Sequence, residues 1–223
     1  MREASTFAGP LVAMCEADLC LDAEAARELA GFIHLAEASS TQDAAFAQPL
    51  PARGALVGVA DAQTAGRGRR GRAWSGGAGR NANDALALTV LRRFDLPPRA
   101  LAPLGPAVGI AVAQALRGLG ADVLVKWPND LVHHDYKLGG LLIEARGDAV
   151  AIGLGLNLSL DALPGVEQPW SDLRGAGAND VGRTAVLSAV LRALLPALAR
   201  FECEGFAAFA EDWAPLDALH GRA

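Results

Sequence analysis

Four arginines, Arg67, Arg69, Arg70 and Arg72, fall within six positions of a glycine-rich segment that runs from Gly66 to Trp74. Planar guanidinium groups offer paired donors that match phosphate and carboxylate oxygens. Such a cluster repels itself without an anion. The spacing therefore predicts a loop that is mobile when empty and closes over a phosphorylated ligand, with Trp74 available to stack on a base or ring. On this segment alone, a solvated basic loop and an Arg/Gly RNA-binding segment stand as alternatives. The stretch "GRGRRG" also fits G-x-G-x-x-G, but a dinucleotide-binding turn opens directly into a helix. Here "RAWSGGAGRNAN" follows, which cannot start a packed helix, so the match is a decoy.

A second group of residues lies in the middle of the chain. In "AVAIGLGLNL", from Ala149, a period of two puts Gly153, Gly155 and Asn157 on one face and Ile152, Leu154, Leu156 and Leu158 on the other. The second face is apolar core. The first is stripped of side chains, which weakens a strand unless something flat lies against its backbone; close helix packing on glycine is the bland alternative. "KLGGLLIEA" repeats the device, with Lys137 and Gly139 expected on one face and an ammonium thus set beside bare backbone. "KWPND", Lys126 to Asp130, has the composition of a turn, and Asp130 can hold Mg²⁺ as one carboxylate beside ligand phosphates. His133 and His134 are adjacent; on an extended chain they point to opposite faces and cannot readily share an ion, so no role is assigned to them. No Ser–His–Asp or Cys–His arrangement is recognisable.

The elements that must position these residues follow from pattern and punctuation. The 223 residues suffice for one principal domain, and 52% hydrophobic against 20% charged residues is a globular balance. A net charge of −5 argues against nucleic acid as a general partner. Cys15, Cys20 and Cys203 form neither a disulfide framework nor a zinc motif, which suits a reducing cytosol. With no export signal and no run of about 18 uninterrupted apolar residues, no membrane association and a cytoplasmic location are expected.

Residues 1–33 read as an N-terminal extension, with a helix capped by Asp22 and stopping near Gly31. Strands are expected from Leu56, Ala85, Asp122, Lys137 and Ala149, the last two joined by the short turn "RGD". A buried helix follows Arg99, and the last part reads as two helices broken around Glu204–Gly205. Helices gathered at one end of the sequence, with short links between the middle strands, predict an α+β fold: a mixed, largely antiparallel sheet with helices packed on one face.

In order and at comparable spacing, "SSTQ" (39–42), "QTAGRGRRGRAW" (63–74), "KWPNDL" (126–131), "KLGGLLIE" (137–144) and "IGLGLNL" (152–158) resemble biotin protein ligases over residues 34–219. The resemblance implies attack of the biotin carboxylate on the α-phosphorus of ATP, giving biotinyl-5′-AMP, and then transfer to a lysine of a biotin carboxyl carrier domain. It implies that Ser40, Thr41, Gln42 and Gln63 bind the biotin head group, and that Gly66 and Arg67 lie along its chain and carboxylate. Arg69, Arg70 and Arg72 would close on the adenylate, Arg69 with a part in catalysis, while Trp74 covers the adenine. Asn129 and Asn157 would contact the nucleotide and Asp130 the Mg²⁺. Lys137 would stabilise the α-phosphate and acyl oxygen, while Gly139, Gly140, Gly153 and Gly155 let the ligand approach the strands. A lipoate or octanoate ligase of the same fold, or a degenerate biotin-binding protein, are the alternatives.

Three departures from the pattern stand out. Gln42 replaces the usual Asn, and "SGGAGRNANDALALTV" leaves Asn81 and Asn83 without a secure counterpart. Past Trp213, Asp217 and Gly221, residues 220–223 are expected to be a stub where relatives continue into a small barrel, either absent naturally or truncated here, and no helix-turn-helix of the DNA-binding kind is recognisable before residue 34.

Overall fold

Asp22 caps a helix that ends sooner than its alanines suggest. Its carboxylate accepts a hydrogen bond from the Ala25 N–H at 2.9 Å, but the helix stops at Glu28 and the chain turns into strand from Leu29. In the computed structural model, which describes residues 14–74, 84–160, 166 and 168–221, the elements in chain order are as follows. They are α1 (Ala23–Glu28), β1 (Leu29–Ala38), α2 (Thr41–Phe46), β2 (Ala55–Gln63), β3 (Ala85–Arg93), α3 (Leu104–Gly118), β4 (Leu124–Lys126), β5 (Asp130–His133), β6 (Tyr136–Arg146), β7 (Ala149–Asn157), α4 (Arg183–Glu204) and α5 (Ala210–Trp213). Asn81 and Asn83, residues 1–13 of the expected extension and the last two residues of the stub lie outside the described residues.

The strands form one sheet in the order β1-β2-β3-β7-β6-β5-β4. Only β1 and β2 pair in parallel; every other neighbouring pair is antiparallel, as the pattern predicts. β1 and β5 are strands that the periodicity did not reveal. β1 runs across residue 34, so the last part of the expected extension is built into the sheet. Its Ala-rich sequence has little strand propensity of its own, and pairing along β2 decides its conformation.

One face of the sheet carries α1, α3 and α4, whose apolar residues pack on Val57, Leu88, Leu131, Leu138, Ile152 and Leu156. α3 sits close because Gly109 faces Val125: a Cβ there would lie 2.9 Å from a Val125 methyl. By length and composition, residues 98–118 and 183–204 could each cross a bilayer, but about half of each is buried inside this fold. The opposite face carries the short α2, where Ala45 meets Leu91 and Ala151. Helices thus lie mainly, not wholly, on one face. α4 ends at Gly205, in the left-handed region at φ 67°, which breaks the C-terminal helices where expected. Arg183, at the start of α4, pairs with Asp61 of β2, which also accepts from His34 of β1 at 2.8 Å. Burial pushes the Arg183 guanidinium down from its ordinary value, and the Asp61 charge opposes that effect.

A bulge alters the predicted register of β6. Leu131 pairs with Gly139 but Val132 pairs with Lys137, so Leu138 is an extra residue that reverses which face its neighbours occupy. Gly139 therefore lies on the opposite face from Lys137, turned to the core, and Gly140 takes the place expected for it. A Cβ on Gly139 would lie 2.5 Å from the Gly155 carbonyl oxygen and 2.7 Å from a Leu156 methyl. At Gly140 the nearest atom, Asp130 Oδ1, is 3.4 Å away. Gly139→Ala should then cost about 1–3 kcal/mol in chemical denaturation, and Gly140→Ala less than about 0.5 kcal/mol. Equal losses at the two positions would contradict the bulged register.

Candidate active site

The face of the sheet opposite α3 and α4 holds a cavity of about 130 Å³. The turn from β1 into α2 supplies its first wall. Ser40 caps α2, its hydroxyl accepting from the Gln42 N–H at 3.2 Å, and this turns Thr41 and Gln42 into the cavity, both buried. The Thr41 N–H and hydroxyl both donate to Gln63 Oε1, at 2.7 and 3.1 Å, and the Thr89 hydroxyl donates to Thr41 at 2.8 Å. Gln42 reaches under the sheet surface. Its amide nitrogen donates to the carbonyls of Leu142 and Ala151, at 2.9 and 3.3 Å, and its amide carbon occupies the space that a Cβ on Gly153 would need.

The arginine segment is a small hairpin in its own right. The Trp74 N–H donates to Gly66 O, the Gly68 N–H donates to Arg72 O, and Arg70 and Gly71 make the tip with positive φ. Gly66 is needed at the base, where a Cβ would lie 2.8 Å from the Trp74 carbonyl oxygen. Residues 66–74 thus form a hydrogen-bonded hairpin. Within the cluster, the charge of Arg67 is offset by Asp43, whose two oxygens take it at 2.5 and 2.9 Å. Arg146 adds a third contact at 3.0 Å, and Glu144 lies 3.6 Å from Arg67. The hydrogen-bonded Arg67 guanidinium holds the Asp43 carboxyl down at about 2, Arg146 assisting and slight burial opposing. The same contact raises Arg67.

Two polar pairs complete the far wall. Arg69 donates to Asn129 Oδ1 at 3.2 Å, and Asn129 is fixed by its own donation to Leu141 O at 2.9 Å. Lys137 Nζ lies 2.8 Å from Asp130 Oδ1. The Lys137 backbone is held by Pro169 and Ser171, through bonds of 3.0 and 2.9 Å. Between the two walls the Trp74 indole lies against bare backbone: a Cβ on Gly155 would be 2.5 Å from its ring carbons. The flat object that the glycine face called for is, at Gly155, the protein's own indole.

Of the residues singled out from the sequence, Ser40, Thr41, Gln42, Gln63, Arg67, Arg69, Arg72, Trp74, Asn129, Lys137, Gly140, Gly153 and Gly155 line this one cavity. Gly66, Arg70, Asp130, Gly139 and Asn157 are not among its lining residues, each for a physical reason. Gly66 and Arg70 belong to the base and tip of the hairpin, Asp130 stands behind Lys137, and Gly139 faces the core. Asn157 is buried and donates to Ser171 O at 3.0 Å, bracing the segment that holds Lys137. Sequence reasoning missed Asp43, Glu144, Arg146 and Gln168. An acid directly after "SSTQ" was a readable signal for Asp43, but its partner lies 24 residues away.

Asp43 has a lowered pKa in the folded chain, so its contribution to stability is present above the unfolded value of about 3.9 and is lost as pH falls from there through about 2. Both partners are about one-third exposed, and solvent screening keeps the effect small. At neutral pH, Asp43→Asn should cost about 0.2–1 kcal/mol in urea unfolding, with the gap to wild type closing in acid and in high salt. A gap that is constant across that range would remove the ion pair from the account.

With this geometry in hand, the chain can be set beside known proteins. Residues 37–158 match the model of the biotin/lipoate A/B protein ligase family. The bifunctional ligase/repressor BirA of Escherichia coli is 41% identical over 167 residues, which cover 71% of this chain and 50% of that protein. The chain therefore spans about half the length of that relative. The biotin–[acetyl-CoA-carboxylase] ligase of Paracoccus denitrificans is 31% identical over 80% of this chain and 78% of its own. The biotin protein ligase of Aquifex aeolicus in complex with biotin and ATP has the same fold, with a TM-score of 0.68 and 27% identity over 86% of this chain and 78% of that one. The chain belongs to the biotin/lipoate A/B protein ligase family.

Proposed function

We propose that the protein joins biotin to ATP and passes the biotinyl group to a lysine of a biotin carboxyl carrier domain. One observation carries this reading. A neutral hydrogen-bonding wall of Ser40, Thr41, Gln42 and Gln63 faces a cationic wall of Arg69 and Lys137 across a single cavity. A ligand with a polar uncharged head and an acidic tail matches that polarity from end to end.

In the first step a carboxylate oxygen of biotin bonds to the α-phosphorus, and the bond to the bridging oxygen breaks as pyrophosphate leaves. In the second the carrier amine, having lost a proton, bonds to the acyl carbon, and AMP leaves. Neither step needs a protein nucleophile. What accelerates them is alignment of the reactants and neutralisation of charge on the phosphate and acyl oxygens. Lys137 and Arg69 supply that charge. Their present partners, Asp130 and Asn129, hold them extended toward the cavity until an anion competes for them.

Mg²⁺ fits this site only together with nucleotide. Asp130 offers one carboxylate, already paired with Lys137, so the ion would arrive on the ATP phosphates. When bound it would neutralise charge on those phosphates. Trp74 stands over Gly155 inside the cavity, so a ligand as large as biotinyl-AMP would be accommodated by Trp74 and the arginine hairpin moving off Gly155. Once displaced, the hairpin could cover the mixed anhydride and keep water from it.

Incubation with biotin, Mg-ATP and an apo carrier domain should add one biotinyl group to one carrier lysine, read by mass spectrometry. Lys137→Ala should lower kcat by about 10²–10³-fold, the size of a lost transition-state donor. Unchanged turnover would remove Lys137 from the chemistry. Biotin alone should raise the thermal midpoint by mass action while lipoate leaves it in place. The reverse result would move the substrate to the lipoate side of the family.

A further inference from the structure

The tip of the β5–β6 hairpin carries two histidines that the cavity does not use. On an extended chain they would point apart, but His134 lies in the left-handed region at φ 53°. The chain bends there and brings both rings to one side, with their centroids 4.2 Å apart. Asp122, just before β4, completes the group: one ligand atom from each of Asp122, His133 and His134 lies within 4.8 Å of the other two. No other such group of three occurs among the described residues.

We propose that Asp122, His133 and His134 form a binding site for a divalent transition-metal ion of the Zn²⁺ type, separate from the catalytic cavity. His133 marks the far end of β5 from Asp130, three residues and so about 10 Å along the strand.

The tautomer of His133 supports the assignment. Its Nδ1 lies 2.8 Å from the Asp122 carbonyl oxygen, which can only accept, so Nδ1 carries the proton and Nε2 presents its lone pair. A backbone carbonyl holding the remote N–H is the usual way in which a metal-ligating imidazole is oriented. The Asp122 main chain is itself fixed, its N–H donating to Ala176 O at 2.7 Å. Its carboxylate remains exposed and lies 3.9 Å from His133 Nδ1.

Two imidazoles and one carboxylate select zinc and its neighbours over Mg²⁺ or Ca²⁺, which take oxygen ligands. Metal–ligand bonds of about 2.0–2.1 Å put tetrahedral ligands about 3.4 Å apart. The exposed side chains of His134 and Asp122 would turn to bring one ligand atom each to that spacing from His133 Nε2. Water would fill the fourth position. The ion would then tie the hairpin tip to the segment before β4.

The full chain, stripped with a chelator, is titrated with Zn²⁺ against a chromogenic chelator, and with Co²⁺ for its visible absorption. Wild type should bind one equivalent, and the Co²⁺ form should show the band of a four-coordinate site. His134→Asn suits the left-handed backbone while removing the ligand, so an unchanged thermal midpoint without metal is expected alongside an affinity loss of at least ~10-fold. Asp122→Asn should also weaken binding, whereas replacing Cys15, Cys20 and Cys203 by Ser should not. Absence of binding at tens of micromolar Zn²⁺, equal affinity in His134→Asn, or loss of binding in the cysteine variant would each overturn the proposal.

Discussion

Cationic side chains cannot be gathered around an open cavity unless something offsets their mutual repulsion, and the arrangement of this site follows from how that is done. Arg67 is neutralised by Asp43, with Glu144 nearby, and Lys137 by Asp130. Arg69 leans on a neutral amide, Asn129. The three positions therefore differ in what an incoming anion must displace. Arg67 is held in a bidentate grip that pulls the acid well down, and it serves to anchor the hairpin. Arg69, whose partner carries no charge, is the most readily transferred to a ligand. Lys137 lies between them, with a single carboxylate that must yield.

The glycines answer a related problem, that of bringing bulky planar groups against a sheet. Gly155 and Gly153 are bare on the cavity side, and the space over them is taken by Trp74 and Gln42. Both occupants arrive from other elements, the indole from the arginine hairpin and the amide from α2. The cleared strand thus couples hairpin and helix through one surface, and the Arg67–Asp43 pair couples them again at the rim. Trp74 and Arg67 lie on one hairpin, so the contact over Gly155 and the pair at the rim belong to the same element.

Much of this was legible because strand periodicity is strict. The alternation in "AVAIGLGLNL" put the core leucines of β7 on one face and Gly153 and Gly155 on the other, and the turn at Gly147 and the helix break at Gly205 were marked by residues that tolerate positive φ. Two of the three failures share one cause. Lys137 and Gly139 were expected on one face because nothing in "YKLGGLL" announces the extra residue of a bulge. His133 and His134 were expected to diverge because a non-glycine residue is not expected to turn left-handed. β1 was hidden because its alanines prefer helix and only β2, 25 positions later along most of the register, makes it a strand. Period-two reasoning holds wherever the chain stays extended and fails silently at a single irregular residue.

Those irregular residues sit at the two ends of one short hairpin. At one end the bulge turns Lys137 toward the cavity, over Gly140, whose place a Cβ would share with the Lys137 side chain at 3.5 Å. At the other, the left-handed bend brings the two histidines together beside Asp122. A regular hairpin of the same residues would turn Lys137 to the opposite face and separate the imidazoles. Both departures are local and make no demand on the core beyond Leu138, which the bulge delivers to full burial. The sheet can therefore keep its ladder from Gly139 onward while the hairpin beyond it carries all of the chemistry that regular pairing would disperse.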